Sequence, residues 1–149
     1  MKQLKIYLDM CCYNRPFDEQ NKEIIRLETQ AKLEIQHRIK QGIYLLVWSY
    51  MLDYENKNNP FEQKRNTIES WREIAAEYEE GDDETLAMGK RFMKFGLRHK
   101  DSIHLACAVK HNCDYIITTD RKFINKKNQV ADIKIVNPVI FLLETEEIQ

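Results

Sequence analysis

The fold is decided by residues 101–123, DSIHLACAVKHNCDYIITTDRKF. The first half has the apolar spacing of a helix, and Asp101 stands where an aspartate side chain can cap the first turn. Residues 114–119, DYIITT, then form a short strand, after which Asp120 begins a basic helix, RKFINKK. A helix, a strand and a second helix in succession are typical of a parallel sheet covered by helices.

The remaining sequence continues this alternation. Further strands are predicted at residues 4–9, 43–48 and 133–136, and further helices at 23–40, 49–56, 61–78, 85–95 and from 138 onward. Turn-forming residues follow the first strand, and the acidic stretch 77–84 indicates a solvated turn. We therefore predict an α/β three-layer sandwich, with a short, mostly parallel sheet flanked by helices, in one domain spanning residues 1–149.

Composition excludes several classes of protein. The chain has 149 residues, with 23 Lys and Arg against 24 Asp and Glu, so a globally basic nucleic-acid binder is excluded but a locally basic one is not. No apolar run approaches the roughly 20 residues of a membrane span. The four cysteines have neither zinc-knuckle nor disulfide spacing. We expect a cytoplasmic protein with no membrane association.

Carboxylates follow the predicted strands. Asp9 ends the first strand, Asp53 and Glu55 follow the second, and Asp120 follows the third, while Asp101 begins a helix that packs on the same sheet. Ligands of open parallel sheets bind outside the carboxyl ends of the strands. On a helix Asp53 and Glu55 point about 200° apart, so only one of them can join the others. The spacing from Ser49 favours Glu55, and four carboxylates are expected to converge.

Such a cluster predicts a metal-dependent phosphodiester hydrolase. Close carboxylates raise one another's pKa and need a compensating charge. Oxygen ligands suit Mg²⁺ or Mn²⁺, and one or two such ions can activate a water and stabilise the leaving oxygen of a phosphodiester. Asp101 and Asp120 are also explained as helix caps alone, whereas Asp9 has no evident local role.

Basic residues flank the predicted cluster and would contact the phosphates of a nucleic acid. The candidates are Lys100, Arg121 and Lys122, together with Arg15, which lies between two aromatic residues able to stack on an unpaired base. An isolated surface charge more often only keeps a helix in solution, so the grouping carries this prediction. His104 and Cys107 lie three residues apart on a predicted helix, but no second pair of potential ligands has the spacing of a zinc site. His104 is therefore expected to lie partly buried near the acids, and Cys107 to pack as an apolar group.

Four segments together resemble PIN-domain ribonucleases, particularly the VapC-like toxins of toxin–antitoxin pairs. They are IYLDMCCYNRPFD, SYMLDYE, KDSIHLACAVKHNCDYIITTDRKF and IVNPVIFL, and the likeness spans residues 4–143. The resemblance implies a PIN fold in which Asp9, Glu55, Asp101 and Asp120 are the catalytic, metal-binding acids. It also implies Mg²⁺ or Mn²⁺ dependence, an RNA substrate, a cognate antitoxin and a homodimer.

Supporting positions are expected around these acids. Thr118 and Thr119 would orient a carboxylate or a water. The chain departs from the family pattern at Cys11, where many members have an asparagine, and Asn14 is the candidate to replace it because a thiol is a weak hydrogen-bonding group. This departure leaves two alternatives open: a catalytically weak module that binds RNA or protein, and a metal-dependent DNA nuclease.

Overall fold

A computed structural model describes residues 3–146, so the two ends of the predicted 1–149 domain lie outside the described residues. Its strands are β1 (Leu4–Leu8), β2 (Tyr44–Ser49), β3 (Glu77–Glu79), β4 (Tyr115–Ile117) and β5 (Lys134–Val136). They form one sheet in the order β3-β2-β1-β4-β5, and every neighbouring pair is parallel. The predicted mostly parallel sheet is confirmed and is parallel throughout residues 3–146.

Helices cover both faces of this sheet. They are α1 (Met10–Asn14), α2 (Glu23–Lys40), α3 (Tyr50–Lys57), α4 (Glu62–Ile74), α5 (Asp83–Met93), α6 (His99–Lys110), α7 (Arg121–Ile124) and α8 (Pro138–Glu146). None of these helices within residues 3–146 combines the length and apolar character needed to cross a membrane.

Successive side chains of β1 point to opposite faces of the sheet, and helices pack on both faces to give three layers. Tyr7 contacts His104 of α6 on one face of the sheet. On the other face, the ring of Phe141 of α8 packs against the rings of Tyr44 and Tyr115, with centroids 5.2 Å and 4.9 Å away. Tyr44 and Tyr115 lie beside Leu4 and Ile6 in the register of the sheet, so these β1 residues face away from α6. The predicted α/β three-layer sandwich is confirmed.

The prediction of a solvated turn at residues 77–84 is wrong for its first part. Glu77–Glu79 is the edge strand β3, which pairs with β2 from Val47 to Ser49, and Glu79 is buried. The helix predicted over 61–78 accordingly ends at Ile74. The local sequence is too acidic to predict a strand, because the compensating charges come from distant parts of the chain.

Lys5 supplies a charge beside Glu77, and His111 hydrogen-bonds both Glu77 and Glu79. Lys5 Nζ lies 2.6 Å from a carboxylate oxygen of Glu77, and the two ring nitrogens of His111 lie 2.8 Å from Glu77 and Glu79. Hydrogen bonding by Lys5, assisted by His111, lowers the pKa of Glu77. Burial opposes the ionisation of Glu79, but hydrogen bonds from Thr85 and His111 outweigh it and lower the pKa of this carboxyl group. Both carboxylates are therefore stabilised within the chain itself.

Helix starts were predicted with mixed success. Asp120 caps α7 as predicted, and the helix predicted from residue 49 is α3, which Ser49 caps. Asp101 is not a cap, because α6 begins at His99 and places Asp101 in its first turn. Asp9, for which no local role was evident, caps α1, a helix in a segment that was predicted as a turn.

Candidate functional site

Asp9 is fixed at the carboxyl end of the central strand. Its Oδ1 accepts a hydrogen bond from the backbone N–H of Met10 at 2.8 Å, and its Oδ2 accepts one from the Thr118 hydroxyl at 2.9 Å. Its own backbone N–H donates to the carbonyl of Ile117 at 2.9 Å. A helix cap and the end of the neighbouring strand therefore hold this buried carboxylate in one orientation.

His104 lies between Asp9 and Glu55. Its Nε2 is hydrogen-bonded to Glu55 Oε1 and is 3.5 Å from Asp9 Oδ1, and its ring is only 1% exposed. Asp9, Glu55 and His104 each offer one ligand atom, and these three atoms lie within 4.8 Å of one another. Sequence reasoning placed His104 near the acids but missed it as a member of the set. The available signal was its position three residues after Asp101, on the same side of a helix.

A buried hydroxyl pair supports the His104 ring from behind. Nδ1 lies 2.5 Å from Tyr7 Oη, which in turn lies 2.6 Å from Ser49 Oγ. Because hydroxyls both donate and accept, the hydroxyls of Tyr7 and Ser49 can satisfy either tautomer of the imidazole. Burial opposes protonation of His104, but the charges of Asp9 and Glu55 outweigh it and raise its pKa.

Asp101 and Asp120 form a second pair, which Arg98 bridges. Arg98 Nε donates to Asp101 Oδ2 at 3.0 Å, and Nη2 donates to Asp120 Oδ2. Asp120 Oδ1 meanwhile accepts the backbone N–H of Lys122 at 2.9 Å as the cap of α7. Burial raises the pKa of Asp101 although Arg98 acts in the opposite direction. The four predicted acids are thus divided into two pairs, one contacted by the imidazole of His104 and the other bridged by the guanidinium of Arg98.

Both pairs open into one pocket of about 410 Å³. It is lined by Asp9, Met10, Cys11, Asn14, Glu55, Arg98, His99, Lys100, Asp101 and Asp120. The structure therefore brings the four predicted acids to the same pocket, with Lys100 and the mostly exposed side chain of Arg98 beside them.

Asp53 and Glu55 have different surroundings. Asp53 accepts hydrogen bonds from Trp48 Nε1 at 2.8 Å and from Tyr78 Oη at 2.5 Å, and Arg72 lies 3.6 Å away. Burial and the hydrogen bond to Asp53 raise the pKa of Tyr78 to about 12. Asp53 thus joins α3 to β2 and β3, whereas Glu55 lines the pocket.

Cys11 makes more polar contacts than its thiol led us to expect. Its Sγ lies 3.2 Å from the Thr118 hydroxyl and 3.5 Å from Asp9 Oδ2, and it accepts the backbone N–H of Thr119 at 3.3 Å. The Thr118 hydroxyl also accepts the backbone N–H of Asp120 at 3.1 Å. Cys11 and Thr118 therefore connect the first acid to the last, and Asn14 lies on the pocket wall.

The candidate phosphate contacts are distributed unevenly. Lys100 is on the pocket wall, and Lys122 lines an adjoining pocket that shares Arg98 and Asp101 with it. Arg121 is exposed at the start of α7. Arg15 instead forms ion pairs with Glu28 and Asp18, each at 2.9 Å, so its guanidinium is already occupied by contacts within the protein. Cys107 packs in the core, where burial raises its pKa to about 12.

Comparison with known proteins supports the fold. No family model and no curated protein matches the sequence. One similar structure is a chain of VapBC2 from Rickettsia felis, which was solved bound to a DNA fragment from the VapBC2 promoter. The two chains are 11% identical, the TM-score is 0.56, and the match covers 90% of this chain and 98% of that one. Another is PAE2754 from Pyrobaculum aerophilum, with 17% identity, a TM-score of 0.56, and coverage of 99% and 92%. These likenesses support a PIN-like fold.

Proposed function

We propose that the protein is a metal-dependent endoribonuclease and the toxin of a toxin–antitoxin pair. The observation that carries the proposal is the group of Asp9, Glu55 and His104, whose ligand atoms lie within 4.8 Å of one another at a pocket that Asp101 and Asp120 also line. This pocket lies at the carboxyl end of a parallel sheet, where open α/β folds bind their ligands. The PIN-like fold and the resemblance of four sequence segments support the same assignment.

The donor set fits a divalent cation. Asp9 and Glu55 supply the carboxylate oxygens that Mg²⁺ and Mn²⁺ prefer, and the imidazole of His104 favours Mn²⁺ of the two. Thr118 holds the carboxylate of Asp9 and Tyr7 holds the ring of His104, so the donors are positioned before an ion arrives. A bound ion would supply the charge that lowers the pKa of a water and neutralises a phosphate oxygen.

The chain's own residues would bind and orient the RNA. Lys100 and Arg98 stand at the pocket wall, where their charges attract the phosphate backbone without regard to sequence. Arg121 and Lys122 extend this basic surface beyond Asp120 and would hold the neighbouring phosphates. Asn14 adds a polar side chain at the same wall, next to Cys11.

A binding module without catalysis is the second candidate. The observation that favours it is the internal compensation of the acids, because His104 already lies between Asp9 and Glu55, and Arg98 between Asp101 and Asp120. Such a pocket can remain folded without an ion. RNA binding that does not change with Mn²⁺ concentration, together with no cleavage, would select this candidate.

We extend the proposal to partners. The Rickettsia felis neighbour is a VapBC2 complex, which supports a cognate antitoxin for this chain. Exposed aromatic side chains, such as Tyr54 of α3 and Phe61 at the start of α4, would suit contacts with a second copy in a cytoplasmic homodimer. Light scattering of the purified protein measures that oligomeric state.

The deciding experiment is cleavage of a mixed RNA pool with and without Mg²⁺ or Mn²⁺. The wild type is compared with Asp9→Asn, which keeps the shape of the side chain but removes its charge, and with Asp132→Asn as a matched control on an exposed ion pair. We expect metal-dependent cleavage that Asp9→Asn abolishes and Asp132→Asn retains. A DNA of the same sequence distinguishes the nucleases, because only RNA carries the 2′-hydroxyl. An inert wild type that binds no metal would overturn the proposal.

A further inference from the structure

Arg98 occupies the position between two acids that come from different parts of the fold. Asp101 lies in the first turn of α6, and Asp120 caps α7 after β4. Arg98 reaches both with two different nitrogens, Nε and Nη2. Such a forked, charge-assisted contact is specific to the planar guanidinium group.

The third nitrogen of this guanidinium, Nη1, has no hydrogen-bond partner among residues 3–146. The Arg98 side chain is 60% exposed and lies on the pocket wall beside Lys100. Nη1 is therefore accessible to an anion that enters the pocket. A phosphate oxygen is such an anion, and arginine binds phosphate well.

Charge balance indicates how many divalent ions the pocket needs. When ionised, the four carboxylates carry a charge of −4, and one divalent ion together with Arg98 reduces this to −1. Lys100 on the same wall removes the remaining charge. A second ion that bound Oδ2 of both Asp101 and Asp120 would first have to displace both hydrogen bonds from Arg98.

We propose that Arg98 takes the place of a second metal ion, so that the chain binds one divalent ion, at Asp9, Glu55 and His104. In this arrangement Arg98 is a catalytic residue: it neutralises Asp101 and Asp120, and its Nη1 binds an oxygen of the scissile phosphate. The inference rests on the proposed function, because it assigns the residues of the same pocket.

The first test counts bound ions without measuring activity. Equilibrium dialysis and electron paramagnetic resonance of Mn²⁺ give the stoichiometry of the wild type, Arg98→Ala and the control Arg91→Ala, which removes an exposed arginine paired with Asp132. We expect one ion for the wild type and for Arg91→Ala, and two for Arg98→Ala, in which Asp101 and Asp120 are free to bind.

The outcomes separate this inference from the proposed function. Two ions in the wild type, or one in Arg98→Ala, would overturn the role of Arg98 and leave the metal-dependent nuclease intact. No ion in the wild type would overturn both. Thermal unfolding of Arg98→Ala without metal is expected at a lower temperature than that of the wild type, because the substitution leaves the buried carboxylate of Asp101 without its ion pair.

The second test follows cleavage under single-turnover conditions, at a Mn²⁺ concentration that fills only the first ion site, so that no second ion replaces Arg98. Because the guanidinium would act on charge that develops in the transition state, Arg98→Ala should lower the cleavage rate constant about 100-fold, a typical loss for one such donor. RNA affinity should fall much less. Arg98→Lys keeps the charge but not the fork, and is expected to bind one ion and recover part of the rate. An unchanged rate constant in Arg98→Ala would refute the catalytic role.

Discussion

Tyr7→Phe tests whether His104 is held as a metal ligand. The substitution removes one buried hydroxyl, which lies 2.5 Å from His104 Nδ1 and 2.6 Å from Ser49 Oγ, and leaves the aromatic ring in place. Ser49 Oγ keeps its contact with the backbone N–H of Leu52 at 3.3 Å, so the main loss falls on His104.

The size of the effect follows from these contacts. A buried polar atom that loses its partner costs about 1–3 kcal/mol of unfolding free energy. For a chain of this length each kcal/mol lowers the melting temperature by roughly 2–4 °C, so a fall of about 2–12 °C is expected. Loss of the group that orients a ligating histidine typically lowers metal affinity by about 10–100-fold.

The assay pairs thermal unfolding with a Mn²⁺ titration by calorimetry. Tyr115→Phe is the matched control, because it also removes a tyrosine hydroxyl, one that donates to Glu144 at 3.0 Å on the opposite face of the sheet. We expect both variants to lose stability and only Tyr7→Phe to lose Mn²⁺ affinity. If Tyr7→Phe is destabilised but binds Mn²⁺ like the wild type, His104 is not a ligand and Tyr7 is purely structural.

Three further predictions concern the stability of the fold. Asp53→Asn should lower the unfolding free energy by about 1–3 kcal/mol, through its weakened hydrogen bonds, without changing Mn²⁺ affinity in a calorimetric titration. Gly81→Ala should lower the melting temperature more than Gly42→Ala. Both glycines have positive φ angles, +84° at Gly81 and +79° at Gly42. A Cβ at Gly81 would come within 2.5 Å of the Tyr50 ring, whereas a Cβ at Gly42 meets nothing within 4 Å. The pKa values of Glu77 and Glu79 are lowered by folding, so their contribution is present above the unfolded value of about 4.3 and is lost as pH falls through the folded values. The urea midpoint should therefore drop between pH 5 and pH 3, and drop less in Glu77→Gln; equal drops would contradict this linkage.

The sequence was sufficient for the elements whose signals are local. The apolar runs of β1 and β2, and the helix–strand–helix unit around β4, are visible without tertiary information, and together they define a parallel sheet. The caps at Ser49 and Asp120 were predictable for the same reason.

Contacts between charged residues that are distant in sequence explain the features that could not be predicted. Strand β3 is acidic, and its carboxylates are held by Lys5, Lys110 and His111, which are distant in sequence. The bridging position of Arg98 likewise depends on how α6 and α7 meet, which no spacing encodes.

The same limit applies within the candidate site. Spacing on a helix showed that Asp53 and Glu55 point in different directions, but only the contacts of Asp53 with Trp48 and Tyr78 reveal its separate surroundings. His104 could be placed near the acids from the sequence. Its position between Asp9 and Glu55 follows from the packing of α6 against β1.

The position of β1 in the middle of the sheet bears on how the chain behaves during translation. One partner of β1, strand β2, is synthesised soon after it. The other partner, β4, begins only at Tyr115, and the hydroxyl that fixes Asp9 belongs to Thr118. A ribosome-bound chain that stops at residue 110 contains Asp9, Glu55 and His104 but has an unpaired edge on β1 and no strand to hold the first acid. Contacts so distant in sequence form late. The nascent protein therefore cannot assemble its complete pocket until most of its length has left the ribosome.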